Sequence, residues 1–263
     1  MGDLSHEEQK VGIVFGFMRQ MLTLSKKFST HKFIFIWDSK KNFRYKLYPT
    51  YKNRVSLTAE EQAFEKFAFK QFIELRTKTL PKFGFKNNFI QTGMEADDII
   101  AIITQNYKRE FVIISGDGDL YQLLKNNVEM YSPKKKKVLT ENWFMQEYGI
   151  TPKEWVMVKR VAGCRSDKVE GISGIGEKRA IQYIKGTLNK KTKGYQNIIN
   201  GKEIINRNKA LVELPFEGTK LPKLVAEKQF LLHNFIELTD TYGFRSFQQV
   251  ESLNEWMTQF EMV

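Results

Sequence analysis

Gly93-Met94-Glu95-Ala96-Asp97-Asp98 and, after an apolar stretch, Phe111-Val112-Ile113-Ile114-Ser115-Gly116-Asp117-Gly118-Asp119 decide the fold class of this chain. Ile99, Ile100, Ile102 and Ile103 recur at helical spacing, so Asp97–Tyr107 reads as a helix with acids in its first turn. Phe111–Ile114 is a short continuous apolar run, the mark of a strand buried on both faces, and it ends in a Gly-Asp-Gly-Asp turn. Toward the N-terminus, Phe33-Ile34-Phe35-Ile36-Trp37 repeats the pattern and runs directly into Asp38. Strand and helix alternate, which predicts an α/β fold with a mostly parallel sheet flanked by helices. In such sheets sites form beyond the carboxyl ends of the strands, where Asp38, Asp117 and Asp119 stand.

Working outward, Val11–Leu24 reads as an amphipathic helix and Thr58–Leu80 as a helix stopped near Pro81. Leu120–Lys125 starts another helix. From Thr151 the pattern changes to short helices with Gly-rich turns, and 210–263 reads as helical without an interpretable motif. The expected division is an α/β core over 1–160, including a segment at about 39–80, and a helical region over 161–263.

The formal charge is +12, from 42 basic and 30 acidic residues, which favours a polyanionic partner without choosing among DNA, RNA and a membrane surface. Nine basic residues against one acid, Glu203, fall within 178–209. Lys134–Lys137, next to Pro133, reads as a solvated turn. The single cysteine, Cys164, excludes an internal disulfide and a Cys-rich zinc site, and His6, His31 and His233 lack metal-ligand spacing. No run is apolar enough to span a bilayer and no signal-peptide pattern opens the chain, so the expected setting is the cytoplasm, without membrane contact.

A basic chain that gathers acids at turns fits a hard divalent ion holding a nucleic-acid phosphate. Each acid also has a plainer reading. Thr92-Gly-Met-Glu95 fits a capping box, and acids in a first turn favour the helix dipole. Asp-Gly is common turn chemistry, but Asp117 and Asp119 held close repel unless a cation or proton intervenes. Gly171-Ile172-Ser173-Gly174-Ile175-Gly176-Glu177-Lys178 lacks the strand of a dinucleotide site and the Ser/Thr of a P-loop. It fits a helix–hairpin–helix turn, whose backbone N–H groups face a DNA phosphate without reading bases; a structural helix–turn–helix is the alternative. Residues 43–54 interleave aromatics and bases, as a single-strand contact does and as a solvated loop with buried rings also does.

In this order the motifs resemble the 5′-nuclease family, which includes the 5′→3′ exonuclease domain of bacterial DNA polymerase I, phage 5′ exonucleases and flap endonucleases. The resemblance spans roughly residues 10–200. It implies a 5′-nuclease/PIN-like core with a helix–hairpin–helix attachment. The implied activity is metal-dependent hydrolysis at 5′ ends and junctions of branched or 5′-flapped DNA and RNA-primer/DNA hybrids, in replication or repair. Asp38, Glu95, Asp97, Asp98, Asp117, Asp119 and Asp167 match its metal-site acids, for two Mg²⁺ with Mn²⁺ able to substitute. Lys52, Arg54 and Tyr51 resemble its catalytic arch base, with Lys52 and Arg54 on the phosphate and Tyr51 stacked on a base. Arg44, Gly174, Gly176, Lys178, Arg179 and Lys185 are the implied DNA contacts, with K⁺ at the hairpin.

Three positions depart from the family pattern. No apolar strand ending in an Asp precedes Val11, since Asp3 lacks the apolar run; Cys164 stands where the first Asp of Gly-Asp-x-x-Asp is expected; Lys168 stands for Asn. The readings left open are a monomeric nuclease of a bacterial or phage-infected cell, one fragment of a split nuclease completed by a separately encoded N-terminal strand, and an inactive structure-specific DNA-binding protein. A PIN-type ribonuclease shares the acidic site but not the Gly171–Lys178 hairpin.

Overall fold

The computed structural model describes residues 5–6, 9–53, 58–226 and 229–263. The chain forms two compact units, each discontinuous in sequence: one from 1–35, 55–89 and 223–263, the other from 36–54 and 90–222. The second unit runs through the expected boundary near residue 160. The reason is that the helix Pro152–Ala162 supplies core residues Trp155, Val158 and Val161 to it.

The first unit is built on aromatic packing. Its longest helix, Gly12–Phe28, extends the expected Val11–Leu24 by a turn. Val11 makes no capping bond there; the Gln71 Oε1 accepts the N–H groups of Ile13 and Val14 instead, at 3.2 and 3.3 Å. The helix Ala59–Glu74 opens with a Thr58/Glu61 capping box, then continues through a π-helical stretch, Leu75–Thr79, into Leu80–Phe83. The run ends at Phe83, two residues past Pro81, with Gly84 at φ +124° closing it, close to the expected stop. The C-terminal residues, which showed no motif, supply rings: Phe230, Phe235, Trp256 and Phe260 all pack on Phe83 within 5.8 Å between centroids. Helix is found over Leu232–Thr241 and Val250–Phe260. The stretch 213–231 is not helical over its described residues.

The second unit carries the α/β architecture. Phe111–Ile114 pairs in parallel with Val128–Ser132, Phe111 opposite Val128 and Ile114 opposite Tyr131. Lys137–Leu139 returns antiparallel beside it, and Lys134–Lys136 lie in the exposed turn between them, Lys137 of the expected turn already being in the strand. Phe35–Trp37 pairs with Asn88–Ile90 in a separate two-stranded sheet. Phe111–Ile114 departs from the expected two-sided burial: Ile113 is buried but Ile114 is 36% exposed. Among the described residues this strand is an edge, paired only with Val128–Ser132. Leu120–Lys125 is not a full helix; Gly118–Leu123 forms a 3₁₀ turn. Helices Ala96–Asn106, Glu141–Tyr148, Pro152–Ala162, Glu177–Ile184, Lys193–Asn200 and Lys202–Val212 complete the unit. Their shared core holds Ile113, Leu120, Val128, Met130, Phe144, Trp155, Ile172, Ile175 and Ile198. Among the described residues no helix is long and apolar enough to cross a membrane.

Candidate metal centre and nucleic-acid interface

Every predicted site residue among the described ones falls in the second unit. The loop after Trp37 is tied to the start of the helix Ala96–Asn106. The Ser39 Oγ accepts the Gly93 N–H at 3.1 Å, and the Phe43 N–H donates to the Gly93 carbonyl at 2.9 Å. Gly93 sits at φ +90°, and a Cβ there would meet the Phe43 ring, so only glycine allows this approach. Asp38 follows the strand, and its Oδ1 accepts the Ala96 N–H at 2.8 Å, filling one orphan donor of the helix. The capping box lies one turn later than Thr92/Glu95: the Glu95 N–H donates to Asp98 Oδ2 at 3.0 Å.

Asp98 is fully buried and fully occupied. Arg44 donates to both its oxygens, at 2.7 and 2.8 Å, and the Phe216 N–H reaches Oδ1 at 2.8 Å. The expectation that Asp98 ligates a metal is corrected on that ground, because its lone pairs are spent inside the core. Arg44 is likewise corrected as a DNA contact. It is 1% exposed, donates through Nε to the Leu211 carbonyl at 3.1 Å and packs over the Phe216 ring. Burial opposes its charge, but Asp98 and Glu95 outweigh that and hold the guanidinium firmly protonated. Tyr51 is corrected too: at 2% exposure its ring has no open face for a base. Its hydroxyl donates to Glu95 Oε2 at 2.8 Å, with Asp167 Oδ2 at 3.3 Å. Burial first, then Glu95 and Asp167, raise the hydroxyl's pKa.

Lys52 adopts φ +47°; its N–H donates to the Asp167 carbonyl at 2.8 Å and its ammonium pairs with Glu95 and, at 3.9 Å, with Asp167. Burial opposes its charge, yet Glu95 and Asp167 raise its pKa. Arg54 lies outside the described residues.

Asp97 points to the opposite environment from Asp98. Its carboxyl is pushed up to about 8, by burial first and then by the charges of Asp117, Asp38 and Glu95, with Lys52 opposing. Asp117, Asp38 and Glu95 therefore all bear on Asp97, while Glu95 is itself paired with Lys52, Arg44 and Tyr51. An all-carboxylate set that repels itself fits a hard divalent ion, whose charge offsets that repulsion.

Asp117 and Asp119 are set by the 3₁₀ turn: Asp117 Oδ1 accepts the Asp119 N–H at 2.9 Å, and Trp155 Nε1 fixes the Gly118 carbonyl at 2.8 Å. Asp119 then meets a residue that the sequence reading missed. The Lys159 ammonium lies 2.9 Å from its Oδ1 and 3.0 Å from Glu177 Oε1, in the first turn of the helix Glu177–Ile184. Burial opposes the Lys159 charge, but Asp119 and Glu177 raise its pKa. Its signal was a lysine on the same buried face as Trp155 and Val158, where an apolar residue is the rule.

Gly163–Cys164 pairs antiparallel with Val169–Glu170, and the turn between them brings Asp167 back. Cys164 Sγ faces Asp119 Oδ2 at 3.5 Å and Ser166 Oγ at 3.0 Å. Burial first, then Asp119, push the thiol up to about 11, and burial also raises Asp167. The ligand atoms of Asp119, Cys164 and Asp167 lie within 4.8 Å of one another. A set containing sulfur does not fit Mg²⁺ as the oxygen-only set does.

The Gly171–Lys178 turn crosses the hairpin base so closely that a Cβ on Gly171 would strike the Ala162 carbonyl. Ile172 and Ile175 anchor it in the core, while Gly174, Gly176, Lys178, Arg179 and Lys185 are exposed. Gly176 begins the helix Glu177–Ile184 with open space where a side chain would stand. Arg179 folds back on the turn, donating to the Gly174 carbonyl at 2.8 Å. Arg207, counted in the basic segment, is instead structural, donating to the Glu170 carbonyl at 2.7 Å and stacking on Tyr48.

Comparison with known proteins extends this geometry. The model of the 5′-3′ exonuclease, N-terminal resolvase-like domain, matches residues 3–149. A 5′-3′ exonuclease of Buchnera aphidicola from Schizaphis graminum is 31% identical over 223 residues, covering 82% of this chain and 70% of that protein. A thermostable DNA polymerase I of Thermus thermophilus is 29% identical over 181 residues, covering 67% of this chain and 21% of the polymerase. Among solved structures, a bacteriophage T5 flap endonuclease complex with DNA and metal ions superposes with a TM-score of 0.67 at 26% identity, over 76% of this chain and 80% of that one. Acids at strand and helix ends, the glycine-rich hairpin and a family match over more than half the sequence agree: the chain belongs to the 5′-3′ exonuclease family.

Proposed function

We propose that this chain is a divalent-metal-dependent 5′→3′ exonuclease and flap endonuclease, hydrolysing DNA phosphodiesters at 5′ ends and branched junctions. The reading is carried by the ligand atoms of Asp119, Cys164 and Asp167, within 4.8 Å of one another, and supported by the mutual repulsion of the neighbouring acids, with Asp117, Asp38 and Glu95 bearing on Asp97. Such a cluster is held apart from neutrality only at a cost that a cation relieves. Mg²⁺ at that position, with Mn²⁺ able to substitute, would supply charge neutralisation and an activated water.

The chain's own groups do the rest. Asp38 and Glu95, fixed at the helix start, orient the cluster. Lys52, paired with Glu95, is the ammonium that turns to a phosphate oxygen once that carboxylate has another cation; Arg54 assists it. Arg44, Asp98 and Tyr51 brace the site from within rather than touching DNA. The exposed Gly174–Gly176 backbone, Lys178, Arg179 and Lys185 hold the duplex by its phosphates, with K⁺ bound at the hairpin. RNA-primer/DNA hybrids are accepted for the same reason, because backbone contacts carry no base information. The reading puts the protein to work as a monomer in the cytoplasm of a bacterial or phage-infected cell.

A second element of the reading is a further strand beside Phe111–Ile114. It is supported by the free edge of Phe111–Ile114 among the described residues and by the exposure of Ile114, an apolar residue suited to a neighbour.

The test is a side-by-side assay of 5′-flap DNA and single-stranded RNA with Mg²⁺. Release of the flap, with RNA left intact, is the expected result. Cleavage of RNA alone would move the protein to the PIN ribonucleases. Tight junction binding without cleavage, unrelieved by an added apolar strand peptide, would make it a DNA-binding protein.

A further inference from the structure

We propose that the lysine run Lys134–Lys137 is a second duplex-binding surface, taking the phosphate backbone of the same DNA that the Gly174–Lys178 hairpin holds. The inference rests on the proposed activity and deepens it by naming a further contact for the substrate. The run and the hairpin belong to one compact unit.

Four observations carry the proposal. The first is charge. All four lysines are exposed, and among the described residues no carboxylate pairs with any of their ammonium groups. Four like charges in successive positions repel one another, and a polyanion relieves that repulsion. The second is backbone. Ser132 stands opposite Lys137 at the base of the turn, and Lys136 within it adopts φ +51°. Glycine or asparagine takes that left-handed conformation more readily, so the turn keeps a charge against its local preference. The third is seating. The Lys135 and Lys137 ammonium groups lie over the Trp143 ring, at 5.8 and 5.3 Å from its centroid. Trp143 in turn packs on Tyr121 and Tyr148, so the charges are mounted on the core. The fourth is position. Trp143 is in the first turn of the helix Glu141–Tyr148. At the other end of that helix the Lys185 ammonium lies so close to Gly149 that a Cβ there would strike it. Lys185 ends the helix that begins at the hairpin. Eight residues of helix span about 12 Å, about the width of the DNA major groove. One duplex can therefore lay one strand's phosphates on Lys185 and the hairpin and the other strand's on the lysine run, without any base being read.

The competing account is a solvated turn that touches nothing. The two are separated by binding of a 5′-flap DNA with duplex arms, and of the flap strand alone, to the purified chain in chelator over a range of KCl concentrations. The variant is Lys134→Gln/Lys135→Gln/Lys136→Gly/Lys137→Gln, whose glycine suits the left-handed position. Its log–log salt slope for the flap DNA should fall by about 1.8–3.6, which is two to four phosphate contacts at about 0.9 each, with affinity at about 0.1 M salt down by about 10–100-fold. Binding of the flap strand alone should not change. In the wild-type chain, the duplex should shield the four lysines from acetylation by an amine-reactive ester, read by mass spectrometry, and the single strand should not. An unchanged slope, or acetylation that is equal with and without duplex, overturns the proposal and leaves the proposed activity standing. Equal losses for duplex and single strand also overturn it, since charge at a distance would then be the cause. So does lost binding to phosphatidylserine vesicles with duplex binding intact, which would move the run to a membrane surface. No duplex binding by the wild-type chain overturns both readings. The wild-type acetylation pattern decides the matter even if the variant fails to fold.

Discussion

On the first turn of the helix Ala96–Asn106, Asp98 faces inward to Arg44 while Asp97, its neighbour, is set among Asp38, Glu95 and Asp117. The two residues have the same side chain and adjacent backbone, and the structure uses them for opposite ends. Asp98 has a charge partner and four hydrogen bonds, so its burial is compensated. Asp97 has like charges nearby, so its burial is left uncompensated unless a cation arrives. One region holds the fold and the other stores the electrostatic tension that a ligand can release.

The sharpest way to break this contrast is to remove Arg44. Arg44→Ala leaves Asp98 buried and unpaired, and thermal or denaturant unfolding should show a loss of about 3–5 kcal/mol. Removing both charges while keeping an acceptor for the Glu95 and Phe216 N–H groups, Arg44→Met with Asp98→Asn, should recover part of it. A mild effect of Arg44→Ala alone would mean that the pair is not structural. Asp97→Asn should behave in the opposite sense, keeping or raising the stability of the metal-free protein.

That opposition has a pH signature. In the fold Asp97 keeps its proton up to about pH 8. An unfolded aspartate loses it near about 3.9. Between these values the folded state binds more protons, so the contribution to stability is complete below the unfolded value and lost as pH rises through the folded one. The melting temperature of the wild-type chain in chelator should fall from pH 5 to pH 8 more steeply than that of Asp97→Asn, and a divalent ion should flatten the difference. Parallel curves in chelator would contradict the placement of Asp97.

Smaller effects sharpen the same picture. Lys159 shares its charge between Asp119 and Glu177. Lys159→Met should free Asp119 and raise divalent-ion affinity by about 5-fold, the equivalent of an ion pair worth about 1 kcal/mol; calorimetric titration measures it. Smallest is the loss of one phosphate contact. Lys178→Ala should weaken junction binding uniformly and lower the log–log salt slope by about 0.9. An unchanged slope would remove Lys178 from the interface.

The acidic motifs were legible because they stand at strand and helix ends, and those ends follow from apolar runs at Phe35–Trp37, Ile99–Ile103 and Phe111–Ile114. Which acid serves the fold was not legible. Asp97 and Asp98 differ only in the direction each leaves the helix, and the partner that settles it, Arg44, lies 54 residues away. Tyr51 was misread for a related reason: an aromatic between basic residues looks the same in a solvated loop as under Glu95. The Gly171–Lys178 turn was readable because its glycines answer local steric demands. Lys159 was hidden by the opposite circumstance, since nothing local explains a lysine beside Trp155 until Asp119 and Glu177 close over it. The aromatic core of the first unit was present in composition but had no periodicity to assign its partners.

The most direct test of the central claim is divalent-metal-dependent cleavage of a 5′-flap DNA by the purified chain beside an Asp117→Ala/Asp119→Ala control. The account predicts cleavage by the wild type and a loss of at least about 100–1,000-fold in the control, the scale set by losing one group that stabilises transition-state charge, with junction binding retained. Equal cleavage by the two proteins would contradict it, because the reaction would then run without the carboxylates on which the whole reading stands.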